Sequence, residues 1–286
     1  MKRLLILSGK GGTGKTTTAA AFIHFAKAKA AADCDVDAPN LHLVTEWNED
    51  PHVTDFYGGE KAYIESDKCI GCGECENHCR FDALIKNGDR YTVNEYACEG
   101  CGVCAYVCPR DAIRLDTDQA GRKMLYLDNG VFSTAVLKMG RGNSGKLVTD
   151  VKMAMLKNAP ETDLAILDGS PGIGCPVMAS ISGMDLVLVV AEPSFSGISD
   201  MKRLIQTAET FRTKLAVCVN KWDISPENTQ KIQDYCIENR ILFAGKIPYD
   251  RHVSAAINAG QNLAEVDCPA REALLEIYKN TCKLLV

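Results

Sequence analysis

No stretch of this chain stays apolar for long. Its strongest run, Leu186 to Ala191, falls far short of the roughly 20 residues that a bilayer crossing needs. The start, Met1 to Leu7, runs straight into Ser8-Gly9-Lys10-Gly11. A secretory leader has a longer apolar core and a small-residue cleavage site, so the start reads as a β-strand and the protein as cytoplasmic. An excess of positive charge is also lacking. Lys and Arg number 32 against 37 Asp and Glu, a net of −5, so nothing global calls for nucleic acid or a membrane surface. The 286 residues, 46 % of them hydrophobic, are enough for one large α/β domain or two smaller ones.

Cysteine, by contrast, is abundant, with 14 residues. A disulfide framework does not suit a reducing compartment. Eight cysteines fall between positions 69 and 108, and Cys34, Cys175, Cys218, Cys236, Cys268 and Cys282 are scattered. The scattered ones, Cys175 apart, read as small buried hydrophobes. The clustered ones form an internal repeat with an offset of 29: Cys69, Cys72, Cys75 and Cys79 map onto Cys98, Cys101, Cys104 and Cys108, and Asp82-Ala83 onto Asp111-Ala112. Two copies of one small unit are expected.

Around this insert the chain alternates between strand and helix. Strands are expected at Arg3–Ser8, Ala31–Asp35, Lys123–Leu127, Leu164–Leu167, Leu186–Ala191 and Leu215–Val219. Helices are expected at Thr16–Lys29, Val148–Lys157 and over 269–286. That rhythm implies an α/β fold with a parallel sheet covered on both faces. The expected organisation is one discontinuous domain, 1–58 and 119–286, interrupted in a surface loop by a cysteine-rich domain at 61–118.

Gly9-Lys10-Gly11-Gly12-Thr13-Gly14-Lys15-Thr16 follows a strand and opens a helix, the context in which G-x-x-x-x-G-K-[ST] binds phosphate. Backbone N–H groups of Gly11, Gly12, Thr13 and Gly14, continued into Thr16 and Thr17, would face the phosphates at a helix N-terminus. Lys15 would reach the β- and γ-phosphates, and Thr16 would bind Mg²⁺.

The second lysine in the loop, Lys10, makes the motif K-G-G-T-G-K-T. Here the sequence resembles the deviant-P-loop ATPases of the MinD/ParA superfamily, across the whole chain outside the insert. The resemblance implies a parallel-sheet P-loop ATPase that forms a nucleotide-sandwich dimer, with itself or a paralogue, in which Lys10 reaches the partner's nucleotide. Asp33-Cys34-Asp35-Val36-Asp37 looks like the first switch, with Asp35 orienting the attacking water. Leu164 to Asp168, followed by Gly169-Ser170-Pro171-Gly172, looks like Walker B and the second switch, with Asp168 holding Mg²⁺ through water. Asn220 looks like the adenine-side amide. The basic membrane helix of MinD proper is missing: residues 269–286 mix Arg271 and Lys279 with Glu272 and Glu276, while Leu274 and Ile277 suit a core-facing stripe. So is a C-terminal C-x-x-C. The nitrogenase iron protein, a relative in that superfamily, carries a ligand of its subunit-bridging cluster at a place comparable to Cys175, which offers Cys175 a metal role; the alternative is a small buried residue packing the turn after the second switch.

Each cysteine run has the bacterial ferredoxin spacing, C-x2-C-x2-C-x3-C, in which the fourth cysteine ligates the other cluster. Two [4Fe–4S] clusters are expected: cluster I on Cys69, Cys72, Cys75 and Cys108, and cluster II on Cys98, Cys101, Cys104 and Cys79. Zinc sites pair C-x2-C units across longer gaps. The proline that follows Cys108 is Arg80 after Cys79, a departure that leaves the ligands intact. Residues 61–118 carry a net of −4, so a redox or metallocluster partner with a basic face is expected. The architecture resembles the ATPases of orange-protein complexes. It implies an ATP- and Mg²⁺-using iron–sulfur protein that couples nucleotide state to electron transfer or metallocluster assembly. The alternative is a MinD/ParA-like positioning ATPase. An amidase-type synthase would need a glutamine-hydrolysing domain, for which no chain remains.

Overall fold

The computed structural model describes residues 1–47 and 49–285. The chain begins β1 (Lys2–Leu7), α1 (Lys15–Ala26), β2 (Ala30–Asp33) and β3 (His52–Ile64). The cysteine-rich stretch follows with α2 (Glu74–Asn77), β4 (Leu84–Asn87), β5 (Arg90–Val93) and α3 (Val103–Tyr106), then β6 (Ile113–Leu127) and β7 (Val131–Leu137). The remainder is α4 (Ser144–Asn158), β8 (Leu164–Asp168), α5 (Cys175–Ile181), β9 (Leu186–Ala191), α6 (Phe195–Glu209) and β10 (Lys214–Asn220). It closes with α7 (Pro226–Glu238), β11 (Leu242–Ile247), α8 (Arg251–Asn258) and α9 (Pro269–Cys282). The expected closing helix thus stops at Cys282, and Val286 lies outside the described residues.

Residues 1–54, 123–136 and 144–286 form one compact unit, and 55–122 with 137–143 form a second. The first unit is a parallel α/β layer. Its strands run β11-β10-β9-β1-β8-β2-β7 in the sheet order, every neighbouring pair parallel. Strands β6 and β3 continue that order and run on into the second unit. Because the central strands are covered on both faces they read as unbroken apolar runs, and Leu4, Leu5, Ile6 and Leu7 are all fully buried. Helix α1 lies close to the sheet because its inward positions are small: Ala19, Ala20 and Ala21 are buried beside Phe22. Phe22 meets Tyr278 of α9 edge-on at 5.2 Å, and Leu274 and Ile277 of α9 are buried in the same core. Truncating Phe22 to Ala would cost about 3–5 kcal/mol.

Of the boundaries that differ from expectation, two have clear local reasons. Helix α1 ends at Ala26 because Lys27 turns left-handed at φ 47°, its N–H returning to the carbonyls of His24 and Ile23. Strand β2 ends at Asp33 rather than Asp35, because the Asp33 carboxylate accepts the N–H groups of Asp35, Asn40 and Leu41 at 2.9, 3.0 and 3.0 Å and curls the chain around itself.

The second unit shows the repeat in its backbone. Helices α2 and α3 are four residues each and begin 29 positions apart. Gly71 and Gly100 both adopt positive φ, 66° and 65°. A Cβ at Gly71 would lie 2.0 Å from the Asp89 carbonyl oxygen, and one at Gly100 would lie 2.1 Å from that of Glu60. The blocking carbonyls are themselves one repeat apart, so the repeat includes the preceding strand. The unit also takes in residues 137–143. There the chain, exposed apart from buried Leu137 and half-buried Arg141, is fastened by Lys138 N–H to the Ala120 carbonyl at 2.8 Å. Arg141 adds bonds from Nη1 to the Glu95 carbonyl at 3.0 Å and from Nη2 to the Glu95 carboxylate at 2.5 Å. Its Nε lies 3.0 Å from Asp118 Oδ2.

Candidate functional site

The order β9-β1-β8-β2 sets four loops side by side at the C-terminal ends of parallel strands, where open α/β sheets bind ligands. The loop after β1 carries Lys10 and residues 11 to 16, and Gly14 caps α1 in a left-handed conformation, φ 91°. A side chain there would collide with Asn220, whose Nδ2 donates to the Thr13 carbonyl at 2.8 Å. Strand register aligns Ile6 and Asp33 with Asp168 on either side of β8.

Asp168 is fully buried. It takes Lys15 Nζ at 2.7 Å on one oxygen and the Thr16 hydroxyl at 2.6 Å on the other. Lys15 Nζ is also 3.7 Å from Asp35. Burial works against the Lys15 ammonium, but Asp168, then Asp35 and Asp33, outweigh it and its pKa is raised. Asp35 is raised, chiefly by burial, with Lys15 opposing. Asp33 is pushed up to about 7 by burial and by Asp168, while the N–H groups of Leu41 and Asp35 and the charge of Lys15 pull the other way. The arrangement is a hydroxyl and a carboxylate in hydrogen-bond contact beside a buried ammonium, at the start of a helix. It supplies hard oxygen ligands for a divalent cation and positive charge for phosphates.

Lys10 is engaged within its own chain. Its Nζ lies 2.7 Å from Glu192 Oε2 and donates to Ser194 Oγ at 3.4 Å. Lys221 approaches the other Glu192 oxygen at 3.5 Å. These contacts, the Lys10 hydrogen bond first, hold the Glu192 pKa below the usual carboxylate range. The two switch-like loops are tied by Ser170 Oγ donating to the Cys34 carbonyl at 2.6 Å. Tyr249 N–H donates to Asp223 at 2.7 Å, which draws the loop after β11 to the loop that follows Asn220. Asp33 enters the sequence reading only as the first residue of the switch-like stretch, and Glu192 and Asp223 are assigned no role there. The first two stand at the ends of apolar strands just as Asp168 does, and that was the signal available for them.

Buried Lys152 of α4 was also missed. It donates to the carbonyls of Ala179, Ser180 and Ser182 at 2.6, 2.9 and 2.6 Å, capping the end of α5. Cys175 is exposed at the start of that helix. Cys34, Cys218, Cys236 and Cys268 are buried and Cys282 half-buried.

In the second unit two cavities divide the eight clustered cysteines. One is lined by Cys69, Cys72 and Cys75 of the first run with Cys108 of the second. The other is lined by Cys98, Cys101 and Cys104 with Cys79. Backbone N–H groups point at the sulfurs: Ala112 at Cys108, Ala83 at Cys79, and Ala62 and Gly100 at Cys98, at 3.3, 3.5, 3.5 and 3.4 Å. Among the described residues no group of three or more His, Cys, Asp or Glu converges closely enough to hold a single metal ion. In the same set no helix is long and apolar enough to cross a membrane.

Residues 4–263 match the model of the CobQ/CobB/MinD/ParA nucleotide binding domain. An uncharacterised protein of Methanocaldococcus jannaschii is 31 % identical over 97 % of this chain and 95 % of its own length. A second from that organism, described as an uncharacterised ATP-binding protein, is 26 % identical over 96 % of this chain and 85 % of its own. Among solved structures, the cell division ATPase MinD of Pyrococcus furiosus superposes with a TM-score of 0.57 at 16 % identity, covering 99 % of each chain. MinD of Pyrococcus horikoshii, complexed with Mg-ADP, gives 0.57 at 16 % identity over 99 % of this chain and 97 % of its own. These two likenesses establish the fold.

Proposed function

The chain belongs to the CobQ/CobB/MinD/ParA nucleotide-binding family, and on that premise we propose that it is a Mg²⁺-dependent ATPase that carries two [4Fe–4S] clusters. Nucleotide state would govern electron transfer or metallocluster delivery to a partner protein in the cytoplasm. The observation that carries the reading is the crossed division of the cysteines, three from one run and one from the other around each cavity. A cubane takes its thiolates at four separate iron corners, with N–H groups bonded to the sulfurs. Four cysteines spread round a cavity fit it, whereas a tetrahedral zinc site needs its ligands to converge on one point. Bound clusters would supply one-electron chemistry. The chain's own residues hold them, exclude water from one side and donate hydrogen bonds to the ligands.

At the nucleotide site Thr16 and Asp168 fit Mg²⁺ as a hydroxyl ligand and a carboxylate that binds through water. Lys15 would then turn from Asp168 to the β- and γ-phosphates. Asp35, half-buried and 3.7 Å from Lys15, would orient the attacking water. Asn220 and the loop of Asp223 would face the base. Protein purified without oxygen should hold about eight irons per chain with equivalent acid-labile sulfide. Stoichiometric zinc without sulfide would overturn the cluster reading.

A second reading is a positioning ATPase. It is favoured by the 27 % identity to septum site-determining protein MinD of Helicobacter pylori over 54 % of this chain. A fluorescent fusion in native cells separates the two, since a positioning ATPase would form ATP-dependent patterns and an electron-transfer ATPase would stay diffuse.

A further inference from the structure

The two halves of the second unit hold their cysteines alike but differ around the cavity mouths. At positions 29 apart, Glu74 is matched by Val103, Asn77 by Tyr106 and Arg110 by Phe81. The first mouth therefore carries an acid and a guanidinium, with Ile70, 60 % exposed, as its apolar member, and the amide of Asn77 stands at the end of α2 beside it. At the second mouth and on the helix beside it the same positions carry large, mainly apolar side chains left in water: Val103 is 41 %, Phe81 42 % and Tyr106 91 % exposed. Phe81 and Val103 line one cavity. Val103 and Tyr106 stand three apart on α3, so they share a face of that turn. Cys101, which lines the same cavity, is exposed. Nothing in packing requires this difference, because the polar version at α2 supports an equivalent helix.

Resting on the reading that the cavities hold clusters, we propose that the mouth lined by Phe81, Val103 and Cys101, with exposed Tyr106 at the end of α3 beside it, is the docking surface for a one-electron redox protein. That partner would have an apolar contact centre and a basic rim. Transient redox partners bury little area, so a few aromatic and aliphatic anchors over an exposed ligand suffice. The sign of the rim follows from charge. The unit, 55–122 with 137–143, carries ten Lys and Arg against thirteen Asp and Glu. Glu99 stands at this mouth, and Arg80 and Asp82, on either side of Phe81, cancel. Cluster thiolates add further negative charge, which steers a basic partner and orients it. Cys79, Cys98, Cys101 and Cys104 would hold a cluster that, once reduced, supplies one electron, and Cys101 would be the exposed ligand facing the partner. The partner's oxidised centre would gain the electron given up, with no proton moved and no bond broken.

The test uses the full-length protein, purified without oxygen, reduced with dithionite and desalted, with ferricytochrome c as a basic haem probe. Calorimetry reads binding and stopped flow reads haem reduction, each at low and high salt. The Val103→Ser/Tyr106→Asn variant should keep its iron and both cluster spectra, and lose about tenfold or more in affinity and rate. Tyr106→Asn alone, at a fully exposed position, should show part of the same loss and guards against misfolding of the double variant. Glu74→Gln/Asn77→Ser at and beside the first mouth should stay within about twofold of wild type. The proposal is overturned if the second-mouth variants match wild type, or if the first-mouth variant is the one that fails. It is overturned too if the second-mouth variants change only self-association in the ultracentrifuge, which would make this face a contact between copies of the chain. Absence of iron and sulfide from the wild-type protein is a distinct result. It would remove the cluster reading itself, and this proposal with it, whatever the docking data.

Discussion

Lys10 Nζ and Glu192 Oε2 lie 2.7 Å apart, so the loop's second lysine is held by its own chain. Both side chains are about a quarter to a third exposed, and an ion pair of that kind is worth no more than about 1 kcal/mol. Glu192→Gln should therefore leave the melting temperature nearly unchanged while releasing Lys10. Lys10→Ala should retain monomer nucleotide binding but lose ATP-dependent dimerisation and turnover. Sedimentation with and without ATP checks both, and a Lys10→Ala protein that dimerised normally would remove the cross-subunit role.

Lys15 and Asp35 should separate binding from hydrolysis. Lys15→Ala removes the point charge proposed to meet the β- and γ-phosphates, and nucleotide affinity should fall by about two orders of magnitude or more. Asp35→Ala leaves Lys15, Thr16 and Asp168 in contact, so ATP should still bind while hydrolysis drops by about 10²–10⁴. Normal turnover by Asp35→Ala would show that another group positions the water.

The crossed cysteines make a prediction that simple consecutive ligation does not. Cys79→Ala should abolish the cluster of the second run, and Cys108→Ala that of the first, each leaving the other cluster's electron paramagnetic resonance signal. Loss of the first run's signal from Cys79→Ala would mean uncrossed ligation. Cys175→Ser should leave the iron content unchanged.

Asp33 predicts a pH dependence. Its folded pKa, about 7, lies above the ordinary carboxylate value near 4, so the folded chain binds a proton that the unfolded chain releases between those limits. The stability contributed is fully present below about pH 4 and is lost as pH rises towards 7. In nucleotide-free protein, Asp33→Asn should flatten this part of the stability profile. Urea midpoints at pH 5 and 7.5 measure it, and an unchanged slope would assign the titration to other groups.

What the sequence made legible was whatever depends on short stretches. The phosphate loop is legible because a strand, a glycine run and a helix are consecutive. The central strand Leu186–Ala191 is legible because burial on both faces leaves an unbroken apolar run. The crossed cysteine sets follow from a spacing and a repeat. Less legible were features made by distant partners. Strand β6 begins at Ile113 rather than 123 because its first residues belong to the repeat, and Lys138 joins Ala120 only through the fold. Asp33, Glu192 and Lys152 look like ordinary charges until the carbonyls, amides and lysines around them are brought in from elsewhere in the chain.

The short strap at 137–143 bears on how the molecule can be taken apart. A deletion of 61–118, the insert as its Cys- and Gly-rich composition delimits it, would leave Arg141 with its largely buried guanidinium and neither Glu95 nor Asp118 to receive it. The graft in the other direction would fail for the mirror reason, because 55–122 moved alone leaves those two acids without their cation. The transplantable module is therefore two pieces of chain, and a chimera that carries both should retain its fold where a single-segment excision unravels.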